Sequence, residues 1–180
     1  MNSADFNIFA TLLREKSGLV ITTDKIYLLE TRLLPVAHKH GYNDLGGLGQ
    51  ALRLNPGGQA AEEVVEAMTT NETLFFRDRK PFDVFQQQLL PQLAERRKAS
   101  KKIRLWSAAC STGQEPYSLA MLIAEAGPRY QDYQFEIVAT DISQAALKKA
   151  THGSYSQFEI QRGLPAPYLI RYFEKCGEDW

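Results

Sequence analysis

Between Ile103 and Ala150 the sequence alternates apolar runs, small or acidic loops and helical stretches, and that order constrains the fold more than any other feature. Ile103 to Ala109 reads as a short buried strand, and Glu115 to Ala126 as a helix. Phe135 to Thr140 reads as a second buried strand, and Ser143 to Ala150 as a second helix capped by Ser143. Strand–helix–strand–helix with short connections implies parallel strands joined by right-handed crossovers, and therefore an α/β domain.

Upstream, to about Ser100, the pattern is helical. Phe6, Phe9, Leu12 and Leu13 recur at three- and four-residue steps until Gly18. Asp24 is the expected cap of a second helix, with Ile26, Leu29, Leu33, Leu34 and Ala37 on its apolar face, ending at Gly41. A shorter segment, Leu45 to Leu54, stops at Asn55-Pro56-Gly57-Gly58, and helical spacing resumes from Ala60 to Met68. Lys80 to Lys98 reads as one longer helix that tolerates Pro81 in its first turn but is kinked or broken by Pro91. The basic run Arg96 to Arg104 reads as a solvated connector. These boundaries predict a helical domain over 1–79, a connecting helix and linker over 80–99, and an α/β domain over 100–180.

At 180 residues the chain holds one full domain or two small ones. Lys plus Arg number 21 against 21 Asp plus Glu, a balance that argues against strong sequence-independent attraction to nucleic acid or an anionic membrane. The first residues lack the basic and apolar regions of a signal peptide. The most apolar stretch, Leu119 to Ala126, is broken by Glu125 and falls far short of the ~20 residues of a membrane span. Two cysteines make no disulfide framework, so a cytoplasmic setting is expected, with Cys110 as a small buried hydrophobe. His38, His40 and His152 have no ligand-like neighbours in the sequence, and no metal site is expected.

Ligands of open parallel sheets bind beyond the carboxyl ends of the strands. Two loops reach that place: Ala109 to Glu115, and Asp141-Ile142-Ser143. The first is rich in small residues and opens a helix, but it lacks the lysine of a phosphate-binding loop and the glycines of a dinucleotide fingerprint. Asp141 is either an acceptor for ribose hydroxyls or the cap of the next helix. Glu115 either contacts a ligand or complements the helix dipole. Arg77 follows two phenylalanines at the edge of an apolar cluster, and otherwise pairs with Asp78 or Glu72.

Together MTTNETLFFRD (68–78), RLWSAACSTGQEPYSLAM (104–121), ATDIS (139–143), and GSY, RGLP and YF between 153 and 173 resemble the CheR family of chemoreceptor glutamate methyltransferases. The resemblance runs in order along nearly the whole chain, and WSAACSTGQEPYS is its most specific part. It implies a small all-α N-terminal domain followed by the first part of a Rossmann-like domain for S-adenosylmethionine. It also implies transfer of methyl groups to receptor glutamates, giving methyl esters and sensory adaptation, with S-adenosylhomocysteine as product. Asn71, Thr73, Arg77, Glu115 and Asp141 fall on family positions that contact the cofactor, and Arg77 matches the arginine near the reactive methyl group. The partner implied is the cytoplasmic helical region of chemoreceptors. Lys25, Arg32, His38 and Lys39 lend the second helix a mild basic bias that could meet such an acidic partner, although a solvated face is their default reading.

The family's later strands, its asparagine-containing cofactor loop, its aromatic residue near the methyl group and its β-insertion have no counterpart in residues 100–180. The chain is therefore expected to be a truncated form whose first strand is an open edge prone to self-association. The rival reading is a non-catalytic fragment that docks on receptors or binds the cofactor. A small-molecule or RNA methyltransferase fits the neutral charge and the family motifs less well.

Overall fold

The computed structural model describes all residues, 1–180, and divides into two compact units, Met1–Thr70 and Asn71–Trp180. The first unit is four helices: α1 (Ser3–Ser17), α2 (Ile26–Lys39), α3 (Leu45–Leu54) and α4 (Gln59–Met68). α1 starts where the Asn2 side chain accepts from the Asp5 amide, and it ends at Gly18 in the left-handed region, which glycine enters without penalty. It buries Phe6, Phe9, Leu12 and Leu13. These pack in one core with Leu29, Leu33, Ala37, Leu48, Leu52, Val64 and Met68 from the other three helices.

The start of α2 differs from expectation. Asp24 lies in a 3-10 turn, Thr23–Lys25, and α2 begins at Ile26 with no side-chain cap. The Asp24 carboxyl bonds the Thr22 side chain instead, which holds it below its usual value. α2 also runs through Pro35, because burial of Leu29, Leu33, Val36 and Ala37 outweighs the lost backbone bond.

The second unit begins earlier than the expected boundary after residue 79. Phe75 and Phe76 are buried with Phe82, Phe85, Leu90, Ile103, Met121, Leu122 and Tyr155 in a second core, so the residues from Asn71 onward belong there. The expected connector over 80–99 is likewise part of this unit. Here α5 (Lys80–Val84), a π turn (Phe85–Leu89) and α6 (Leu90–Arg96) form one continuous helical path. Pro91 does not break it. The Leu90 amide bonds back to the Phe85 carbonyl, and this widened turn absorbs the amide that Pro91 lacks. The basic run is the end of α6, a turn and the start of a strand, with the Lys101 ammonium over the Tyr133 ring.

β1 (Lys102–Ala108) pairs in parallel with β2 (Gln134–Thr140), in register from Lys102 opposite Gln134 to Ala108 opposite Thr140. α7 (Gln114–Glu125) connects them, and α8 (Gln144–His152), α9 (Gln157–Gln161) and α10 (Ala166–Tyr172) follow. The strands are not buried on both faces as expected. Ile103 and Ser107 face the core, whereas Arg104 and Trp106 face outward, pairing with Glu136 and Thr140 across the sheet. Trp106 is 71% exposed, and the sheet has two strands, which leaves one edge of β1 without a strand partner.

Candidate functional site

Backbone conformation marks the loop that leaves β1. Ala109 (φ 59°), Ser111 (φ 50°) and Gly113 (φ 97°) all lie in the left-handed region. For a non-glycine residue this costs about 1–2 kcal/mol, so the surroundings must hold it in place. They do so from four sides. The Cys110 amide donates to the Thr140 carbonyl (3.0 Å), which ties the loop to the end of β2. The Ser111 amide donates to Asp141 Oδ2 (2.7 Å), and the Ser111 hydroxyl to the Asn71 carbonyl (2.8 Å). The Tyr155 hydroxyl donates to the Thr112 carbonyl (2.7 Å) from behind. Tyr155 is fully buried between Phe75, Tyr117 and Phe173, and burial pushes its phenol far above the ordinary tyrosine value. Gly113 is required here, since a Cβ would lie 2.8 Å from that phenol oxygen and 3.0 Å from the Ala150 Cβ.

Asp141 sits at the carboxyl end of β2 and bridges two loops. Its second oxygen accepts from the Ser143 amide (2.8 Å). The cap of α8 is Ser143, whose hydroxyl accepts from the Ala146 amide, so the capping role once open to Asp141 is taken. Each Asp141 oxygen retains a lone pair for a further donor. Asn71 reaches the same place, its side-chain amide donating to the Ser143 hydroxyl (3.1 Å). Asn71, Ser111, Asp141 and Ser143 thus form one hydrogen-bonded knot at the carboxyl ends of both strands.

Glu115 is exposed on the first turn of α7 and accepts from the Ser107 hydroxyl at the end of β1 (2.7 Å). Cys110 is buried; burial pushes its thiol up, and the Asp141 and Glu115 charges add to the effect, as expected for an inert residue. Thr73 is half-buried in the segment between Asn71 and Phe75.

Arg77 occupies a tight turn in which Phe76 (φ 51°), Asp78 (φ 61°) and Arg79 (φ 49°) are all left-handed. The turn is anchored by Phe75 and Phe76 in the core and by the Phe76 amide, which donates to the Ser118 hydroxyl (3.1 Å). Arg77 itself is exposed, and its guanidinium donates to the Glu72 carbonyl (2.9 Å), not to a carboxylate. The Glu72 carboxylate pairs instead with Arg162 (3.3 Å).

The five residues singled out in the sequence therefore sit in one unit, and Asn71 and Asp141 join one knot. Sequence reasoning assigned Ser143 only as a helix cap and left Ser107, Ser111 and Tyr155 without a role, although WSAACST and GSY contain them. Their functions are hydrogen bonds across the fold, which carry no local spacing signal.

This set of acceptors suits a nucleoside that carries no phosphate. Asp141 and Glu115 accept from hydroxyl or ammonium groups, and residues 109–115 and 139–143 contain no Lys or Arg to meet a diphosphate. S-adenosylmethionine, with its ribose hydroxyls and positive charges, fits this chemistry.

Comparison with known proteins agrees. The family described as "CheR methyltransferase, all-alpha domain" matches residues 4–69, and "CheR methyltransferase, SAM binding domain" matches residues 71–179. Chemotaxis protein methyltransferase 1 of Pseudomonas aeruginosa is 42% identical over 178 residues, covering 97% of this chain and 64% of the relative. Chemotaxis protein methyltransferase Cher2 of Pseudomonas putida is 40% identical over 176 residues, covering 96% of this chain and again 64% of the relative. A chemotaxis protein methyltransferase of Vibrio parahaemolyticus is 37% identical over 183 residues, with 99% and 64% covered. The chain thus spans about 64% of the length of these relatives. From its helical domain through its cofactor-type loop, the chain belongs to the CheR methyltransferase family.

Proposed function

We propose that this chain acts as an S-adenosylmethionine-dependent methyltransferase on glutamate side chains of chemoreceptors. The observation that carries the reading is the pair Asp141 and Glu115 beyond the strand ends, beside a strained small-residue loop with no basic group. In this reading Asp141 accepts the ribose hydroxyls, and Asn71, Thr73 and Glu115 complete the cofactor contacts. The bound cofactor supplies a methyl group made electrophilic by the sulfonium beside it. A glutamate carboxylate, with an ordinary pKa near 4.3, is already ionised at neutral pH and requires no general base. What remains is alignment of two reactants. Arg77, held on a rigid turn, orients the carboxylate.

Two further points rest on the same footing. One buried and one exposed free cysteine fit a reducing, cytoplasmic setting, and no helix is long and apolar enough to cross a membrane. The unpaired edge of β1 and the outward Trp106 support self-association of this chain.

Calorimetry with S-adenosylhomocysteine tests the cofactor site. The chain is expected to bind, and Asp141→Ala to lose about 1–3 kcal/mol of binding, because the ribose hydroxyls lose their acceptor. Equal binding by the variant removes Asp141 from the site. Radiolabelled methyl transfer to receptor-enriched membranes tests the reaction, and receptor binding without transfer favours a docking module instead.

A further inference from the structure

Glu72 is approached by two guanidinium groups from distant parts of the sequence. Arg77 takes its carbonyl (2.9 Å), and Arg162 takes its carboxylate (3.3 Å). The second contact is built in by the backbone. Gly163 has φ 105°, and a Cβ there would lie 2.1 Å from the Phe75 carbonyl oxygen and 3.2 Å from the Leu74 Cδ1. Only glycine permits that approach, so the segment bearing Arg162 is pressed directly against the segment bearing Glu72 and Arg77. Ile160, at 2% exposed, pins the same segment to the core from the other side. The Arg162 guanidinium also lies 5.3 Å from the centre of the Phe158 ring, which is 66% exposed.

The pair itself is solvent-accessible, with Arg162 40% and Glu72 62% exposed. A pair this exposed adds little to stability, so it is weak enough to exchange. Arg77 spends one of its five N–H groups on the Glu72 carbonyl, so it too has donors to offer. A planar guanidinium fork is the group best matched to a carboxylate, and two forks at one residue make a receptor for one.

We propose that Arg162 and Arg77 together bind the carboxylate of the methyl-accepting side chain, with Glu72 occupying Arg162 until that carboxylate displaces it. The inference rests on the glutamate-methyltransferase reading above and adds a substrate-binding residue, Arg162, and an internal competitor, Glu72. No bond is made or broken in the exchange; one carboxylate replaces another on the same fork.

The test uses the whole chain and a fluorescent helical peptide with a single exposed glutamate, compared with its glutamine counterpart, in the presence of S-adenosylhomocysteine. The chain is expected to prefer the glutamate peptide. Arg162→Ala should weaken the glutamate peptide about tenfold while leaving the glutamine peptide unchanged, and Arg162→Lys should recover part of the preference. Glu72→Gln should tighten the glutamate peptide severalfold, an effect that a merely structural ion pair would not produce. No preference in the unmodified chain, equal losses for both peptides in Arg162→Ala, or an unchanged affinity in Glu72→Gln would each overturn the proposal. Calorimetry with S-adenosylhomocysteine alone separates the two levels. Its failure to bind the unmodified chain overturns the methyltransferase reading, whereas binding without peptide discrimination overturns only the role of Arg162.

Discussion

Left-handed backbone concentrates at two places that carry the candidate chemistry, Ala109 to Gly113 and Phe76 to Arg79. At each, a core aromatic residue holds the strained segment: Tyr155 behind the loop and Phe76 beneath the turn. The consequence for Arg77 is a fixed origin for a long side chain. Arg77→Ala in a catalytically competent form is expected to slow methyl transfer by about 100-fold, the cost of a misaligned reactant, with little change in S-adenosylhomocysteine affinity. Equal losses in rate and affinity would make Arg77 a cofactor contact. Gly163 gives a stability counterpart. Gly163→Ala combines a left-handed alanine with a methyl group driven into the Phe75 carbonyl, and should lower stability by roughly 3 kcal/mol or more in thermal unfolding. A loss below about 1 kcal/mol would show that the two segments separate easily.

Among the elements, α9 is short and depends on its ends. Ser156 caps it and accepts from the Glu159 amide, while the Glu159 carboxylate returns to the Ser156 amide and hydroxyl (2.9 Å each) and also pairs with Lys149 of α8. Burial works to raise the Glu159 carboxyl, but the Lys149 and Ser156 hydrogen bonds outweigh it and hold the group below the usual glutamate range. A carboxyl depressed in the folded state adds stability above its unfolded value, near 4.3, and that stability is lost as the pH falls through the folded value. Glu159→Gln should therefore be less stable than the unmodified chain in denaturant at pH 7, and the gap should narrow as the pH falls below the ordinary glutamate range. A gap independent of pH would assign the effect to packing. The α5–α6 path shows the same dependence on context. Pro91 signals a break when read alone, yet the burial of Phe82, Phe85, Leu90 and Ala94 keeps the helix going through a widened turn.

For the whole molecule, two separate cores organise the chain. Residues 1–70 bury their own apolar face on four helices, and a fragment of that length should show helical circular dichroism that melts cooperatively. A gradual, non-cooperative loss would show that this core is incomplete. Within that unit, the basic residues that suggested a docking face are partly spent. Arg32 donates to the Met68 carbonyl, and Lys39 pairs with Glu63, leaving Lys25 and His38 exposed. The second unit has an uncovered strand edge and an exposed Trp106 on the outward sheet face, so light scattering is expected to show species larger than the 20.3 kDa monomer, growing with concentration. A monomer at all concentrations would show that this edge does not drive self-association.

The helices as far as α8, both strands and the cap at Ser143 were legible because periodicity, capping residues and strand–loop–helix order are local properties, written in neighbouring positions, whereas the short α9 and α10 were not read from the sequence. The family was legible for the same reason, since its motifs are contiguous. Tertiary structure alone decided that Asp141 bridges Ser111 and Ser143 rather than capping α8. It alone decided that Phe75 and Phe76 draw the residues from Asn71 into the second unit, and that Glu72 receives Arg162 from 90 positions away. A hydrogen bond or ion pair between remote segments depends on where the packed backbone delivers each group. Sequence spacing holds no record of that distance until the core has closed.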